Sequence, residues 1–120
     1  MARVLIVDDS PTESHHLSDI LEKNGFQVIT APDGESGVAS AKANKPDVVL
    51  MDVVMPGLNG FQATRQLSKD PGTNSIPVII VSTKDQETDR IWGIRQGAKD
   101  YLTKPVDESV LIETIRTVLD

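Results

Sequence analysis

The chain has 120 residues, 18 acidic against 12 basic side chains for a formal charge of −6, no cysteine, and four aromatic residues, Phe26, Phe61, Trp92 and Tyr101. That length suits one domain, expected to span 1–120 with no appended output domain and to bury roughly two-thirds of the surface its unfolded chain exposes. A disulfide framework, a thiolate metal site and a cysteine nucleophile are excluded; the short apolar runs exclude membrane insertion and point to a cytoplasmic protein, and an acidic chain without a lysine or arginine run excludes a nucleic-acid footprint.

In chain order, Val4, Leu5, Ile6 and Val7 form the first apolar run, which ends at Asp8 and Asp9. Apolar side chains at consecutive positions suit a strand buried on both faces, as in a parallel sheet. Ser10, Pro11 and Glu13 have the spacing of a capping box with proline at the first helical position, and Leu17, Ile20 and Leu21 share one face of a helix stopped by Gly25. A second strand at 28–30 leads to a helix that opens at Asp33 or Gly34 and runs to about Asn44. The third run, 48–51, ends at Asp52, and the least clearly patterned helix follows from Asn59 through Leu67. The fourth run, 78–81, ends at Ser82 and Thr83; a helix from Asp85 through Gln96 is closed by Gly97. The fifth, 101–103, ends at Lys104 and Pro105, before a helix opened by Asp107 with a stripe of Leu111, Ile115, Val118 and Leu119. Five βα units with right-handed crossovers predict an α/β fold, a doubly wound five-stranded parallel sheet with five helices on its two faces.

In such a sheet ligands bind beyond the carboxyl ends of the strands. Taken singly, the residues there have ordinary explanations. Asp8 and Asp9 could be acids welcomed by a helix N-terminus, Asp52 could start a loop, Ser82 could cap a turn, and Lys104 could be a solvated strand-end lysine. Together they put three carboxylates, a hydroxyl and an amine on one rim. Like charges that close raise one another's pKa unless a cation sits among them, and an all-oxygen set suits Mg²⁺. An ammonium and a hydroxyl facing such an ion describe a phosphoryl clamp, in which one aspartate can act as nucleophile. Asp52 is the choice, because it leaves the central region of the sheet while Asp8 and Asp9 share the cation.

The segments 5–10, 49–60, 77–83 and 97–105, which carry these residues, closely resemble the receiver domain of two-component response regulators, the CheY-like family, over essentially the whole chain. The resemblance implies the flavodoxin-like strand order 2-1-3-4-5. It implies that Asp52 accepts a phosphoryl group from a histidine kinase and that Asp8, Asp9, Asp52 and the backbone carbonyl of Val54 hold Mg²⁺. Ser82 and Lys104 would contact the phosphoryl oxygens, and the peptide bond before Pro105 would be cis. It further implies a switch rather than a conventional enzyme. Ser82 would be drawn toward the phosphate, Tyr101 would turn inward, and the face of the fourth helix, fifth strand and fifth helix would change for a downstream motility or signalling partner. From the residues alone, Tyr101 reads as a half-buried strand aromatic with its hydroxyl at the surface. Trp92 reads as packing or partner surface, and His15 and His16 as solvated.

Several positions depart from the commonest pattern of the family. Ser82 stands where threonine is frequent, and Thr83 where alanine or glycine is common, which narrows access to the pocket. The two positions that tune phosphoryl lifetime in the family are Val54 and Lys84, and an apolar Val54 cannot orient a hydrolytic water. The segments 10–13, 60–67, 83–89, 92–93 and 95–98 resemble the receivers of bacterial pilus chemosensory systems, which implies a role in type IV pilus twitching motility. Two other readings compete. A Mg²⁺-dependent phosphohydrolase with an aspartate nucleophile wants a second aspartate where Val54 stands, and no insertion exists to cap a substrate. A pseudo-receiver, binding partners without phosphorylation, ordinarily lacks one of the five site residues, and all five are present. Residues 84–104 hold five basic and four acidic side chains together with Trp92 and Tyr101, a near-neutral, aromatic-bearing segment where a partner is expected.

Overall fold

Val4 to Val7, Val48 to Met51 and Val78 to Ser82 are buried at every position, and these runs pair as the inner strands of one parallel sheet in the computed structural model, which describes residues 2–120. Among those residues five strands alternate with five helices: β1 Arg3–Val7, α1 Pro11–Lys23, β2 Gln27–Ala31, α2 Gly34–Asn44, β3 Val48–Met51, α3 Gly60–Lys69, β4 Val78–Ser82, α4 Glu87–Gln96, β5 Asp100–Thr103 and α5 Glu108–Leu119. The strand order is β2-β1-β3-β4-β5, the flavodoxin-like order expected. No helix among the described residues is long and apolar enough to cross a membrane.

The period of two along each strand divides the core between the sheet's faces. Leu5, Val7, Val49, Met51, Val78, Ile80 and Tyr101 pack with α2 and α3 residues such as Val38, Ala41, Ala63 and Leu67. Val4, Ile6, Val48, Leu50, Ile79 and Val81 pack with Leu17, Ile20 and Leu21 of α1 and Leu111, Ile112 and Ile115 of α5. Burying one such Leu or Ile contributes about 1.5–3 kcal/mol, so both helical layers are held chiefly by this apolar contact.

Four details differ from the sequence reading. The box expected at α1 is half built: Ser10 Oγ accepts from the Glu13 N–H at 3.3 Å, but the Ser10 N–H donates to Asp8 Oδ1 at 2.9 Å instead of to Glu13. Helix α4 begins at Glu87 rather than Asp85, because the Gln86 N–H is capped by Asp89 Oδ2 at 3.2 Å. The α5 stripe buries Ile112 along with Leu111 and Ile115, while Val118 and Leu119 are only partly covered as the helix leaves the sheet. Helix α3, hard to discern in the sequence, is amphipathic after all: its buried face is Gly60, Ala63, Thr64 and Leu67, mostly small residues that give little apolar signal. The others start where expected, with Asp33 accepting from the Ser36 N–H at 2.8 Å and Asn59 from the Gln62 N–H at 2.9 Å.

Candidate functional site

Strand register sets the site. Val7 is level with Met51 across the β1–β3 pair, so Asp8 and Asp52 leave the sheet side by side. Ser82 is level with Thr103, so Lys104 emerges next to the end of β4. Backbone bonds past the strand ends hold this alignment: the Asp52 N–H donates to the Val7 carbonyl at 2.9 Å, and the Lys104 N–H to the Ser82 carbonyl at 2.8 Å. A Cβ on Gly60 would overlap the Asp52 carbonyl, so only glycine lets α3 begin against this strand end.

One carboxylate oxygen from each of Asp8, Asp9 and Asp52 lies within 4.8 Å of the other two. Asp8 is buried, Asp52 partly buried and Asp9 exposed. An all-oxygen, acidic donor set at an open rim fits a hard divalent cation such as Mg²⁺ and offers nothing to a soft metal. Val54 follows on the loop, its side chain exposed. Lys104 Nζ is 2.9 Å from Asp8 Oδ2 and 3.8 Å from Asp52 Oδ2. Only 10% of the Lys104 side chain is exposed, so this ammonium is fixed within the acidic group.

The electrostatics follow from this crowding. Burial, opposed by Lys104 and by the Val53 N–H at 2.8 Å, but reinforced by the charges of Asp8 and Asp9, pushes the Asp52 carboxyl up to about 6. For Lys104, burial alone would lower the pKa, but the hydrogen bond to Asp8 and the charges of Asp52, Asp8 and Glu13 hold it above the ordinary lysine value. The group is arranged so that positive charge added at the rim is favourable.

Ser82 is fully buried at the end of β4, where its Oγ accepts from the Lys84 N–H at 3.1 Å. Tyr101 is turned inward, 5% exposed, and its hydroxyl donates to the Lys84 carbonyl at 2.6 Å. Burial raises its pKa, with Ser82 near enough to oppose the shift by hydrogen bonding. The surface hydroxyl inferred from strand position is therefore corrected, since strand alternation directs the ring into the α2–α3 core. Lys84 Nζ lies 3.7 Å from Asp89 Oδ1. The Lys104–Pro105 bond is cis. His15 and His16 are solvated, and Trp92 is half exposed.

Two participants escaped the sequence reading. Glu13, freed from the capping box, has Oε2 3.9 Å from Lys104 Nζ. Gly93 seats α4 on Tyr101: a Cβ there would stand 2.7 Å from Ile80 Cδ1 and 3.1 Å from Tyr101 Cδ2. The only trace of Gly93 in the sequence is a glycine inside a helix, where its intrinsic cost calls for a packing reason.

The profile of the response regulator receiver domain matches residues 4–116. The chain is 70% identical over 119 residues to protein PilH of Pseudomonas aeruginosa, covering 99% of this chain and 98% of that protein. Other curated relatives are longer, and the chain spans 26% of one and about half of several more. Among solved structures, the chemotaxis protein CheY4 of Vibrio cholerae matches with a TM-score of 0.91 at 31% identity, over 98% of both chains. The receiver domain of the sensor histidine kinase PA1611 of Pseudomonas aeruginosa, solved with a magnesium ion coordinated in its active-site cleft, matches with a TM-score of 0.91 at 28% identity, over 98% of this chain and 97% of that one.

Proposed function

The chain belongs to the response regulator receiver family, whose members take phosphoryl groups from histidine kinases, and from that premise we propose that it is a Mg²⁺-dependent switch with Asp52 as phosphoryl acceptor. The observation that carries this reading is the convergence of Asp8, Asp9 and Asp52 around one point, with Lys104 fixed against two of them. Asp8, Asp9, Asp52 and the Val54 carbonyl would hold the cation. When bound, it offsets negative charge on the transferring phosphoryl group.

The chain's own groups supply the rest. An Asp52 Oδ forms the bond to phosphorus as the donor's P–N bond breaks; the electron pair leaves with the imidazole nitrogen, which takes up a proton. Lys104 donates to a phosphoryl oxygen, giving up part of its contact with Asp8 and Asp52. Ser82 Oγ donates to another, so the buried hydroxyl must reorient from its present role as acceptor for the Lys84 N–H. Because Tyr101 binds the carbonyl of that same Lys84, a change at Ser82 is felt at the ring and then at α4. The output surface is the α4-β5-α5 face, where a downstream motility or signalling protein would dock.

The similarity to pilus chemosensory receivers and the 70% identity to PilH support a role in type IV pilus signalling and twitching motility. Expression in a PilH-deficient strain of Pseudomonas aeruginosa would then restore the wild-type twitching zone, whereas the Asp52→Asn variant would not. For the site itself, incubation with acetyl phosphate and Mg²⁺, read by intact mass, should give one phosphoryl adduct that is absent in chelator and lost in Asp52→Asn. Binding of partners with no adduct under any donor would mark a pseudo-receiver, and steady turnover of phosphate esters a phosphohydrolase.

A further inference from the structure

We infer that Glu13 is a charge filter on the phosphoryl site, slowing transfer from free anionic donors in solution and thereby favouring donors delivered within a protein interface. The inference rests on Asp52 being the phosphoryl acceptor. Sequence spacing assigns Glu13 to the α1 capping box, but Asp8 takes the Ser10 N–H at 2.9 Å and leaves the Glu13 carboxylate without that task. It reaches instead to 3.9 Å from Lys104 Nζ.

Position and charge define what it can do there. Lys104 has carboxylates of Asp8, Asp52 and Glu13 around it, at 2.9, 3.8 and 3.9 Å. The Asp8 and Asp52 side chains are 2% and 11% exposed, whereas 45% of the Glu13 side chain is exposed. Glu13 therefore stands on the solvent side of the ammonium. It lines a groove with Leu17, Thr83, Lys104 and Pro105 that opens beside the site. A phosphoryl oxygen that needs the Lys104 proton must approach a cation already shared with Glu13, and an anionic donor in the groove meets a like charge before it meets the lysine. A half-exposed ion pair at such a distance adds little stability. Its effect on approaching anions extends over roughly a Debye length, about 10 Å at 0.1 M salt. A partner protein can offset that repulsion with contacts elsewhere on its surface; a small metabolite has none to offer.

The test is a charge series at one position: the full chain, Glu13→Gln and Glu13→Lys, each with saturating Mg²⁺ and the same sub-saturating acetyl phosphate, with adduct formation followed by intact mass at low and high ionic strength. Thermal melts of all three establish that the fold is kept. One unit charge at about 4 Å in water is worth roughly a fivefold rate change. The rate should therefore rise about fivefold in Glu13→Gln and further in Glu13→Lys, and the ratios should shrink toward one in 1 M salt. A merely structural role would produce neither the order Glu, Gln, Lys nor its salt dependence. Equal rates across the series, or a slower Glu13→Gln, would overturn the inference; the latter would mean that Glu13 holds Lys104 in place for transfer. An adduct that fails to form even in the unaltered chain would overturn the phosphoacceptor reading, and this inference with it.

Discussion

Helices α1 and α4 flank the same rim from opposite faces of the sheet, yet they bury different kinds of residue. Helix α1 covers its large apolar side chains, Leu17, Ile20 and Leu21, against the sheet. In α4 the buried positions are Gly93 and Gln96, while Ile91, Trp92 and Ile94 are 44%, 50% and 41% exposed. A helix whose apolar residues point outward gains little from docking on its own sheet. The α1 side is thus fixed by large apolar contacts beside the end of β1, where Asp8 emerges, whereas the α4 side leaves its large apolar residues at the surface.

The sharpest way to break that contrast is to truncate one side chain on each helix. Leu21→Ala removes a fully buried residue of the α1 layer and should lower unfolding free energy by about 3 kcal/mol, whereas Trp92→Ala should change it by no more than about 0.5 kcal/mol, both by urea denaturation. A large loss from Trp92→Ala would mean that α4 is packed as tightly as α1.

The acidic rim should behave as a stored repulsion beside the α1 layer. Burial and the neighbouring carboxylates push the Asp52 carboxyl up to about 6 in the folded chain, above the ordinary carboxylate range, so the folded state binds a proton more tightly than the unfolded one. Stability is accordingly present below the unfolded value and is lost as pH rises through about 6. In metal-free buffer Asp52→Asn should be more stable than the parent at pH 8, by up to about 3 kcal/mol, with the gap closing toward pH 4. Added Mg²⁺ should narrow the difference at pH 8 by stabilising the parent. A pH-independent gap would remove the electrostatic explanation.

On the α4 side, Gly93→Ala should destabilise by about 1–2 kcal/mol although alanine is the better helix former, because the new methyl meets Ile80 and Tyr101. Stabilisation by that substitution would show that the helix moves away freely. The smallest effect expected is kinetic. Val54→Asn places a polar group two residues after the proposed acceptor Asp52, where one hydrogen bond to water, worth about 1 kcal/mol, should hasten loss of the phosphoryl group about fivefold. Unchanged decay, followed by intact mass after the donor is removed, would free Val54 of any part in phosphoryl lifetime.

The legibility of the sequence follows the same division. Strands and α1 were readable because runs such as 4–7 and the Leu17, Ile20 and Leu21 stripe record burial directly. So was the candidate site, because a parallel sheet turns residue order into spatial alignment, bringing Asp8, Asp52 and Lys104 together across 96 residues of chain separation. Helices α3 and α4 were harder to delimit because their contact faces use Gly60, Ala63, Thr64 and Gly93, whose value lies in how closely backbone can approach. The inward Tyr101 and the reach of Glu13 to Lys104 depend on competition between neighbours for the same donor or cavity, and no local spacing encodes the winner. Asp8 winning the Ser10 N–H from Glu13 is the clearest instance.

Asp52 as the acceptor at the end of β3 is tested most directly by locating the phosphoryl group. Treating the acetyl phosphate product with borohydride reduces an acyl phosphate to the alcohol, and peptide mass mapping then identifies the residue altered. Homoserine at position 52 alone, formed only when Mg²⁺ was present, is the expected result; reduction at Asp8, Asp9 or Glu13, or at no position despite a stable adduct, would contradict it.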